Sequence, residues 1–231
     1  MRPVTAVFDL DGTIVDTAAD LARATNHALA SVDLRPVPLP QLRSYVSNGA
    51  RVMIERALQH LGARKSVEEV DVMLETFLAY YHDHIAIDSV PYPDVIPVLQ
   101  RLRENEARLA VCTNKREGLA RLLLKSLGMD RLFHVIVGRD TLPVCKPDPG
   151  HLIGSVILAD GDLGRCVMVG DSEIDVRTAK AASIPVIAVD FGYSKGPIAE
   201  SEPDLVISHY RDLEAGIAKV LPLRSRERRS S

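Results

Sequence analysis

Apolar and small residues recur along this chain with two different periods. Between residues 17 and 88 they recur every three or four positions, which is the spacing of one face of an α-helix. The stripes are Ala18, Leu21, Thr25 and Ala28, then Ile54, Ala57, Leu58 and Leu61, and then Val70, Met73, Leu74, Phe77 and Tyr81. No strand-like run interrupts them before Pro91-Tyr92-Pro93, a rigid boundary. The pattern predicts three amphipathic helices within an all-helical segment.

The rest of the chain alternates short apolar runs with further helical stripes. The runs are residues 4–8, 109–112, 135–137, 166–169 and 186–189. Strands that alternate with helices are typical of a parallel sheet covered by helices on both faces. We therefore expect an α/β fold in which residues 1–16 and 89–223 form a doubly wound, Rossmann-like core. Residues 17–88 are expected to form an inserted, all-helical cap domain.

Four polar segments lie at or close behind the ends of these apolar runs. They are Asp9-Leu10-Asp11-Gly12-Thr13, Thr113-Asn114, Lys146-Pro147 and Gly170-Asp171-Ser172-Glu173-Ile174-Asp175. Open α/β sheets assemble their sites in the loops beyond the carboxyl ends of strands. Singly, an Asp-Gly pair is usually a turn, a Thr-Asn pair a helix cap and a Lys-Pro pair a solvated loop. Together, the four segments favour a phosphate-processing site.

Carboxylates outnumber cations in these segments, with Asp9, Asp11, Asp171 and Asp175 against Lys146. Two carboxylates about 4 Å apart repel by roughly 4 kcal/mol at an effective dielectric constant of about 20, and a divalent cation would relieve that repulsion. An all-oxygen ligand set suits Mg²⁺, and zinc is not expected. A carboxylate that faces both metal and substrate can attack phosphorus and form an aspartyl-phosphate, while a second carboxylate manages the proton.

In their order and spacing, the DxDGT, Thr-Asn, KPxP and GDSxxD segments resemble the motifs of the haloacid dehalogenase-like hydrolases, specifically their phosphoglycolate phosphatase branch. The resemblance covers nearly the whole chain. It implies a Mg²⁺-dependent phosphomonoester hydrolase in which Asp9 is the nucleophile. Asp11 would protonate the leaving alkoxide and then activate water as a base.

The same resemblance implies roles for the remaining segments. Thr113, Asn114 and Lys146 would hold the phosphoryl group that is transferred. Mg²⁺ would be bound by Asp9, by the main-chain oxygen of Asp11 and by Asp171, while Asp175 would orient either Lys146 or a water on the metal.

Substrate specificity is expected to lie in the cap, because the core motifs address only phosphate and metal. Residues 45–51 resemble the Gly-Asn-Gly-Ala-Arg stretch of the phosphoglycolate phosphatase branch, with Ser47 in place of the first glycine. The resemblance implies that Asn48, Gly49 and Arg51 contact the substrate. The planar guanidinium of Arg51 suits a carboxylate, and a helix N-terminus adds N–H donors for an anion. The alternative is that Asn48 only caps a helix and that Arg51 is solvated.

The expected substrate is a small phosphorylated carboxylic acid, with 2-phosphoglycolate converted to glycolate and phosphate. A related phosphatase for pyrophosphate or a small sugar phosphate is the main alternative. A phosphomutase is disfavoured because no histidine lies near Asp20 and Leu21 in the first cap helix. A non-catalytic, phosphate-binding regulator is disfavoured by the Asp9 and Asp11 pair, since binding alone needs no carboxylate for proton transfer.

Two positions depart from the family pattern near the last motif. Ile174 stands where relatives often carry Asn, and Ser183 stands where they often carry Gly at a helix end. Neither change removes a catalytic group. Because a residue with a Cβ is strained at positive φ, Ser183 argues against a left-handed helix end at this position.

Composition agrees with a globular enzyme. At 231 residues with 46% hydrophobic content, the chain can bury a core and a smaller insertion. No apolar run approaches the 18 or so residues of a membrane span, and the first strand begins too early for a signal peptide to precede it. We expect a cytoplasmic protein with no membrane partner. The odd count of cysteines, Cys112, Cys145 and Cys166, argues against a disulfide framework.

The net charge of −3 conceals a basic end. Residues 224–231 carry four arginines against Glu227, a charge of +3, so the rest of the chain is at −6. A basic stretch can bind nucleic acid or membranes, but a terminal one without aromatic residues is more often a frayed, solvated tail. We expect a disordered tail, no nucleic-acid partner, and either a monomer or a homodimer.

Overall fold

The computed structural model describes residues 3–221 of the chain, so the basic tail expected over 224–231 lies outside the described residues. The strands in that range are β1 (Thr5–Phe8), β2 (Val15–Asp16), β3 (Val90–Pro91), β4 (Arg108–Cys112), β5 (Val135–Val137), β6 (Cys166–Gly170), β7 (Val186–Val189) and β8 (Leu205–Ile207). Six of them form one parallel sheet in the order β5-β4-β1-β6-β7-β8, while β2 and β3 pair antiparallel as a small ribbon.

The sheet order places β1 between β4 and β6, and Phe8 is in register with Val111 on one side and Val169 on the other. Asp9, Thr113 and Asp171 are the residues that follow these strands. They therefore leave the sheet side by side at one edge, where parallel strands present their carboxyl ends.

Nine α-helices lie within residues 3–221. They are α1 (Ala18–Ala30), α2 (Leu39–Leu42), α3 (Ala50–His60), α4 (Val67–Asp83), α5 (Val95–Glu104), α6 (Glu117–Ser126), α7 (Pro149–Leu158), α8 (Glu173–Ala181) and α9 (Leu213–Val220). The predicted helices over the first three stripes are confirmed as α1, α3 and α4. The short α2 was not predicted, because the proline-rich residues 36–40, between α1 and α3 in the chain, show no helical periodicity. α2 leads into a 3₁₀ segment, Arg43–Asn48.

Helices cover the sheet on both faces, as the apolar runs predict. On one face Phe8 lies in the same buried cluster as Leu123 of α6. On the other face Val7 shares a buried cluster with Leu152 of α7 and Val176 of α8. Successive strand residues thus point to opposite faces, and both sets are buried. This confirms the doubly wound α/β core.

The four helices α1 to α4, called the cap helices below, lie in the sequence between β2 and β3, the two strands of the small ribbon. β2 leads into α1 and β3 follows α4, with Val15 opposite Pro91. The two connections between the sheet and the cap helices therefore run side by side. The predicted domain limits at residues 17 and 88 stay a prediction. None of the helices in the described range is long and apolar enough to cross a bilayer.

The expectation for Ser183 was wrong. Ser183 has a φ of 55°, in the left-handed region, two residues after the end of α8. Its N–H donates to Lys180 O and the N–H of Ile184 donates to Ala179 O, both at 3.0 Å, which is the hydrogen-bond pattern of a Schellman motif. Ile184 is buried. These bonds and this burial offset the cost of a left-handed serine, which is about 1–2 kcal/mol.

Candidate active site

Three carboxylates meet at the carboxyl edge of the sheet. Asp9 follows β1, Asp171 follows β6, and Asp175 lies in the first turn of α8. One oxygen from each lies within 4.8 Å of the other two, and all three side chains are buried. Buried charges of one sign are unfavourable unless a cation neutralises them.

Lys146 supplies one such cation. Its Nζ lies 2.6 Å from Asp175 Oδ1 and 2.9 Å from Asp9 Oδ1. Burial lowers the pKa of Lys146, but the carboxylates of Asp175 and Asp9 raise it by more, so that this pKa lies above its ordinary value. Lys146 therefore remains an ammonium ion, and the cluster still carries more negative than positive charge.

Burial and the excess of negative charge raise the pKa of two of these carboxyl groups. Burial raises the pKa of Asp9 to about 6, and the opposing effect of Lys146 does not cancel this. Burial, together with the charges of Asp175 and Asp9, raises the pKa of Asp171 well above its ordinary value. Both groups would ionise more readily beside an additional cation.

Asp171 is held in one orientation by groups from two loops, one after β1 and one after β7. Thr13 Oγ1 donates to its Oδ1 at 3.0 Å, and the N–H of Tyr193 donates to its Oδ2 at 2.8 Å. Gly12 has a φ of 87°, and a Cβ at this position would overlap Asp171 Oδ2 and lie 2.6 Å from Tyr193 Cδ2. Only glycine fits so close to the carboxylate. The loop after β7 that carries Tyr193 was missed by sequence reasoning, although its position behind an apolar run is the signal used for the other segments.

The residues present fit a hard divalent cation. Asp9 Oδ1 is buried, and its partner among the described residues is the Lys146 ammonium, 2.9 Å away, which Asp175 shares. A buried carboxylate oxygen whose neighbouring charges include a second, oriented carboxylate is a site for a cation that prefers oxygen ligands. Of the predicted metal ligands, the structure brings together the side chains of Asp9 and Asp171.

Asp175 has its two oxygens engaged elsewhere. Oδ1 accepts from Lys146, and Oδ2 accepts from the N–H of Ser172 at 3.1 Å and from its hydroxyl at 2.6 Å. The Ser172 side chain in turn accepts from the N–H of Asp175, which completes a capping box at the start of α8. Of the two roles expected for Asp175, its contacts are those of a residue that orients Lys146.

Asp11 points away from this cluster. Its Oδ1 accepts from Thr17 Oγ1 at 2.7 Å, and Lys115 Nζ lies 2.7 and 3.0 Å from its two oxygens. Lys115 was not among the predicted site residues. It follows Thr113-Asn114 directly, so its position immediately after the predicted segment was the available signal.

Thr113 and Asn114 line the same edge of the sheet. Thr113 is buried, and its Oγ1 accepts from the N–H of Lys115 at 3.2 Å. The Asn114 side-chain amide donates to the main-chain oxygen of Lys146 at 3.0 Å. Asn114 therefore ties the loop that carries Lys146 to the loop after β4. Whether these two side chains also hold phosphate, as predicted, stays a prediction.

Comparison with known proteins agrees with this site. Residues 6–189 match the family described as Haloacid dehalogenase-like hydrolase. The chain belongs to the haloacid dehalogenase-like hydrolases. The family expected from the motifs is thereby confirmed, and the chain is a phosphatase of that family.

Similar proteins cover almost the full length of this haloacid dehalogenase-like hydrolase. It is 47% identical to a phosphoglycolate phosphatase of Mesorhizobium japonicum, over 95% of this chain and 96% of that protein. It is 42% identical to a phosphoglycolate phosphatase of Agrobacterium fabrum, over 95% of each chain. The crystal structure of a predicted phosphoglycolate phosphatase from Haemophilus somnus superposes with a TM-score of 0.86 at 30% identity, over 93% of this chain and 98% of that one.

A cavity of about 420 Å³ separates the carboxylates of this hydrolase from its cap helices. Its core side is polar and includes Asp9, Asp11, Thr113, Asn114 and Lys115. Its cap side is largely apolar and includes Leu21, Met53, Phe77 and Tyr81. The arrangement gives a small, charged ligand a polar end and an apolar cover.

The three predicted cap residues occupy different places. Gly49 and Arg51 line the cavity, whereas Asn48 lines a separate recess beside Lys195. Gly49, not Asn48, precedes the first residue of α3, so Asn48 is not the cap of that helix. The Arg51 guanidinium forms an ion pair with Asp71 of α4.

Proposed function

We propose that this phosphatase hydrolyses 2-phosphoglycolate to glycolate and phosphate and that it uses Mg²⁺. The observation that carries the proposal is the buried group of Asp9, Asp171 and Asp175 around Lys146, in which Asp9 lines a small cavity. The names of relatives that are 39–47% identical over more than nine-tenths of the chain support the choice of substrate.

In the proposed reaction, an Asp9 oxygen attacks phosphorus as the bond from phosphorus to the ester oxygen breaks. Asp11 gives its proton to the departing alkoxide, and the phosphoryl group becomes an aspartyl-phosphate on Asp9. Asp11 then takes a proton from water, whose oxygen attacks phosphorus and releases Asp9 and inorganic phosphate. Thr17 and Lys115 hold Asp11 at the edge of the cavity for both steps.

Positive charge beside Asp9 would bind the phosphate group of the substrate. The Lys146 ammonium lies beside Asp9 and would offset the charge of the phosphoryl oxygens, with Thr113 and Asn114 on the neighbouring loop. Mg²⁺ would be held by Asp9, the main-chain oxygen of Asp11 and Asp171. When bound, it would supply positive charge against these carboxylates and the substrate phosphate.

The cap helices would cover the substrate and exclude water. Leu21, Met53 and Phe77 give the cavity an apolar lid, and Gly49 and Arg51 lie on its wall. Exclusion of water strengthens the electrostatic contacts of the site and protects the aspartyl-phosphate until the leaving group departs.

A phosphate-release assay over a panel of phosphoesters tests the proposal. The panel includes 2-phosphoglycolate, pyrophosphate, small sugar phosphates and p-nitrophenyl phosphate, each with Mg²⁺ and with EDTA. We expect the highest kcat/KM for 2-phosphoglycolate and no turnover in EDTA until Mg²⁺ is restored. A higher kcat/KM for another phosphoester would refute the substrate, and turnover that survives EDTA would refute the metal requirement.

A further inference from the structure

Lys115 is a buried cation in the wall of the cavity. In the proposed reaction it serves only to hold Asp11. It lies at the start of the loop after β4, and only 5% of its side chain is exposed. Its Nζ contacts both oxygens of Asp11, and it also lies 4.7 Å from the centroid of the Tyr81 ring. Lys115 thus connects the proposed general acid in the core with α4 of the cap.

The contact with Asp11 fixes where this ammonium lies relative to a bound substrate. A general acid must approach the ester oxygen to about 2.6–3.2 Å in order to protonate it. In 2-phosphoglycolate, a single methylene group joins that oxygen to the carboxylate. A cation bonded to both oxygens of Asp11 is therefore within reach of the substrate carboxylate.

The surroundings of Lys115 favour an anionic partner. Burial in a poorly polarisable environment makes a charge-assisted hydrogen bond stronger than it is in water. The face of the Tyr81 ring supports the ammonium on the cap side, and Leu21 and Phe77 keep that side of the cavity apolar. A carboxylate that enters here exchanges water for a preformed cationic site.

Arg51 is placed less favourably for the same task. Its side chain is 36% exposed, and its guanidinium already pairs with the carboxylate of Asp71. A substrate carboxylate would have to displace Asp71 or share the guanidinium with it. Exposed ion pairs are also weakened by solvent and salt.

We propose that Lys115 binds the carboxylate of the leaving group and is the main determinant of substrate class. The enzyme would then select phosphoesters that carry an anionic group one methylene from the ester oxygen. This inference rests on the proposed function, because it assumes that Asp11 protonates the ester oxygen of such a substrate.

The test compares kcat/KM, with Mg²⁺, for 2-phosphoglycolate and for 2-hydroxyethyl phosphate, which has a neutral hydroxymethyl group in place of the carboxylate. The wild-type ratio of the two values tests the proposed function, and the change of that ratio in Lys115→Met tests the inference. We expect the ratio to fall by about 10- to 150-fold, the range for loss of one charge-assisted hydrogen bond. Lys115→Arg, which keeps the charge, should retain most of the preference.

Lys195→Met is the matched control. Lys195 also lies over a tyrosine ring, with its Nζ 4.6 Å from the centroid of Tyr45, but it lines the separate recess beside Asn48. This control should leave the ratio unchanged. Arg51→Ala provides the direct comparison with the cap residue expected from sequence, and it should change the ratio by much less than Lys115→Met.

Equal losses on both substrates in Lys115→Met would overturn the inference and leave Lys115 only the task of holding Asp11. A selective loss in Arg51→Ala, with none in Lys115→Met, would overturn it in favour of Arg51. If the wild type shows no preference for 2-phosphoglycolate, the proposed function fails, and the inference fails with it. Circular dichroism establishes folding of each variant, and Lys115→Gln replaces Lys115→Met if the latter does not fold.

Discussion

The Lys146 ammonium donates to Asp175 Oδ1 across 2.6 Å, and both side chains are almost completely buried. The same Asp175 side chain bonds the backbone and hydroxyl of Ser172 at the start of α8. One carboxylate thus joins Lys146, the lysine proposed to bind phosphate, to a helix N-terminus. The position of Lys146 beside Asp9 depends on this connection.

The first prediction concerns Asp175→Ala. The change removes a partner of a buried ammonium and one half of a capping box. Breaking a buried ion pair typically costs about 3–5 kcal/mol; because Asp9 still faces Lys146, we expect the lower end, about 3 kcal/mol of unfolding free energy. Ser172→Ala is the control, since it removes the helix cap and should cost only about 1 kcal/mol. Urea denaturation measures both values, and equal losses would show that Asp175 acts only as a cap partner.

The second prediction concerns the metal-free stability of Asp9→Asn. Because burial raises the pKa of Asp9 from 3.8 to about 6, the folded state holds its proton more tightly than the unfolded state does. Stability from this group is present below about pH 4 and is lost as pH rises to about 6, which amounts to about 3 kcal/mol. In EDTA at pH 8, Asp9→Asn should therefore be more stable than the wild type by up to that amount, and the gain should vanish near pH 4.

The same variant should be inactive, because an amide is a poor nucleophile. Denaturant unfolding in EDTA across this pH range, together with phosphate release in Mg²⁺, checks both parts. A variant that is less stable than the wild type at pH 8 would show that Lys146 and not burial dominates the environment of Asp9. Residual turnover near the wild-type level would show that Asp9 is not the nucleophile.

The third prediction concerns Gly12→Ala. A Cβ at this position would overlap Asp171 Oδ2, so the change must displace a proposed metal ligand as well as strain the backbone at a φ of 87°. We expect kcat/KM to fall by about 100-fold or more, since a 1 Å misplacement in a site can cost that much, and we expect a higher Mg²⁺ requirement. The matched control is Gly62→Ala, whose φ is 66° but whose Cβ would meet no described atom within 4 Å. That control should lose about 1–2 kcal/mol of stability and keep its activity.

A Mg²⁺ titration of phosphate release distinguishes the two glycine variants. If Gly62→Ala lost as much activity as Gly12→Ala, backbone strain would explain both effects. The close approach of Gly12 to Asp171 would then have no special role in binding the metal.

The fourth prediction concerns Ser183→Gly. Serine at a φ of 55° is strained, whereas glycine adopts this conformation freely but loses more chain entropy on folding. The relief of about 1–2 kcal/mol exceeds the entropic penalty of about 0.4–1 kcal/mol, so the variant should be more stable by roughly 0.5–1 kcal/mol. Its activity should not change. A lower midpoint in urea would mean that the exposed serine side chain stabilises the turn in a way that its backbone contacts do not reveal.

The sheet and the core of the site could be predicted because their signals are local. Asp9, Thr113 and Asp171 each follow an apolar strand, so the parallel sheet alone brings them together. The environment of Asp11 could not be predicted in this way. Its contact with Lys115 joins the loops after β1 and β4, and the proximity of that lysine to Tyr81 depends on where α4 lies over these loops, so both contacts join residues far apart in sequence.

Short elements were missed for a different reason. β8 has three residues and only partial burial, so it carries little periodicity.

The ion pair between Arg51 and Asp71 depends on how α3 packs against α4, and a stripe of apolar residues does not fix the angle between these two helices. Ser183 was misjudged because tertiary burial of Ile184 outweighs the local preference of serine.

The central claim is that Asp9 carries the phosphoryl group during hydrolysis of 2-phosphoglycolate. The direct test mixes the enzyme with Mg²⁺ and 2-phosphoglycolate labelled with radioactive phosphorus, quenches the reaction in acid within a single turnover, and maps the label by proteolysis and mass spectrometry. Asp9→Asn serves as the control. We predict a hydroxylamine-labile phosphoryl group on the peptide that contains Asp9, and none in the control. Phosphate release in a single turnover without label on Asp9, or with label on another residue, would contradict the account.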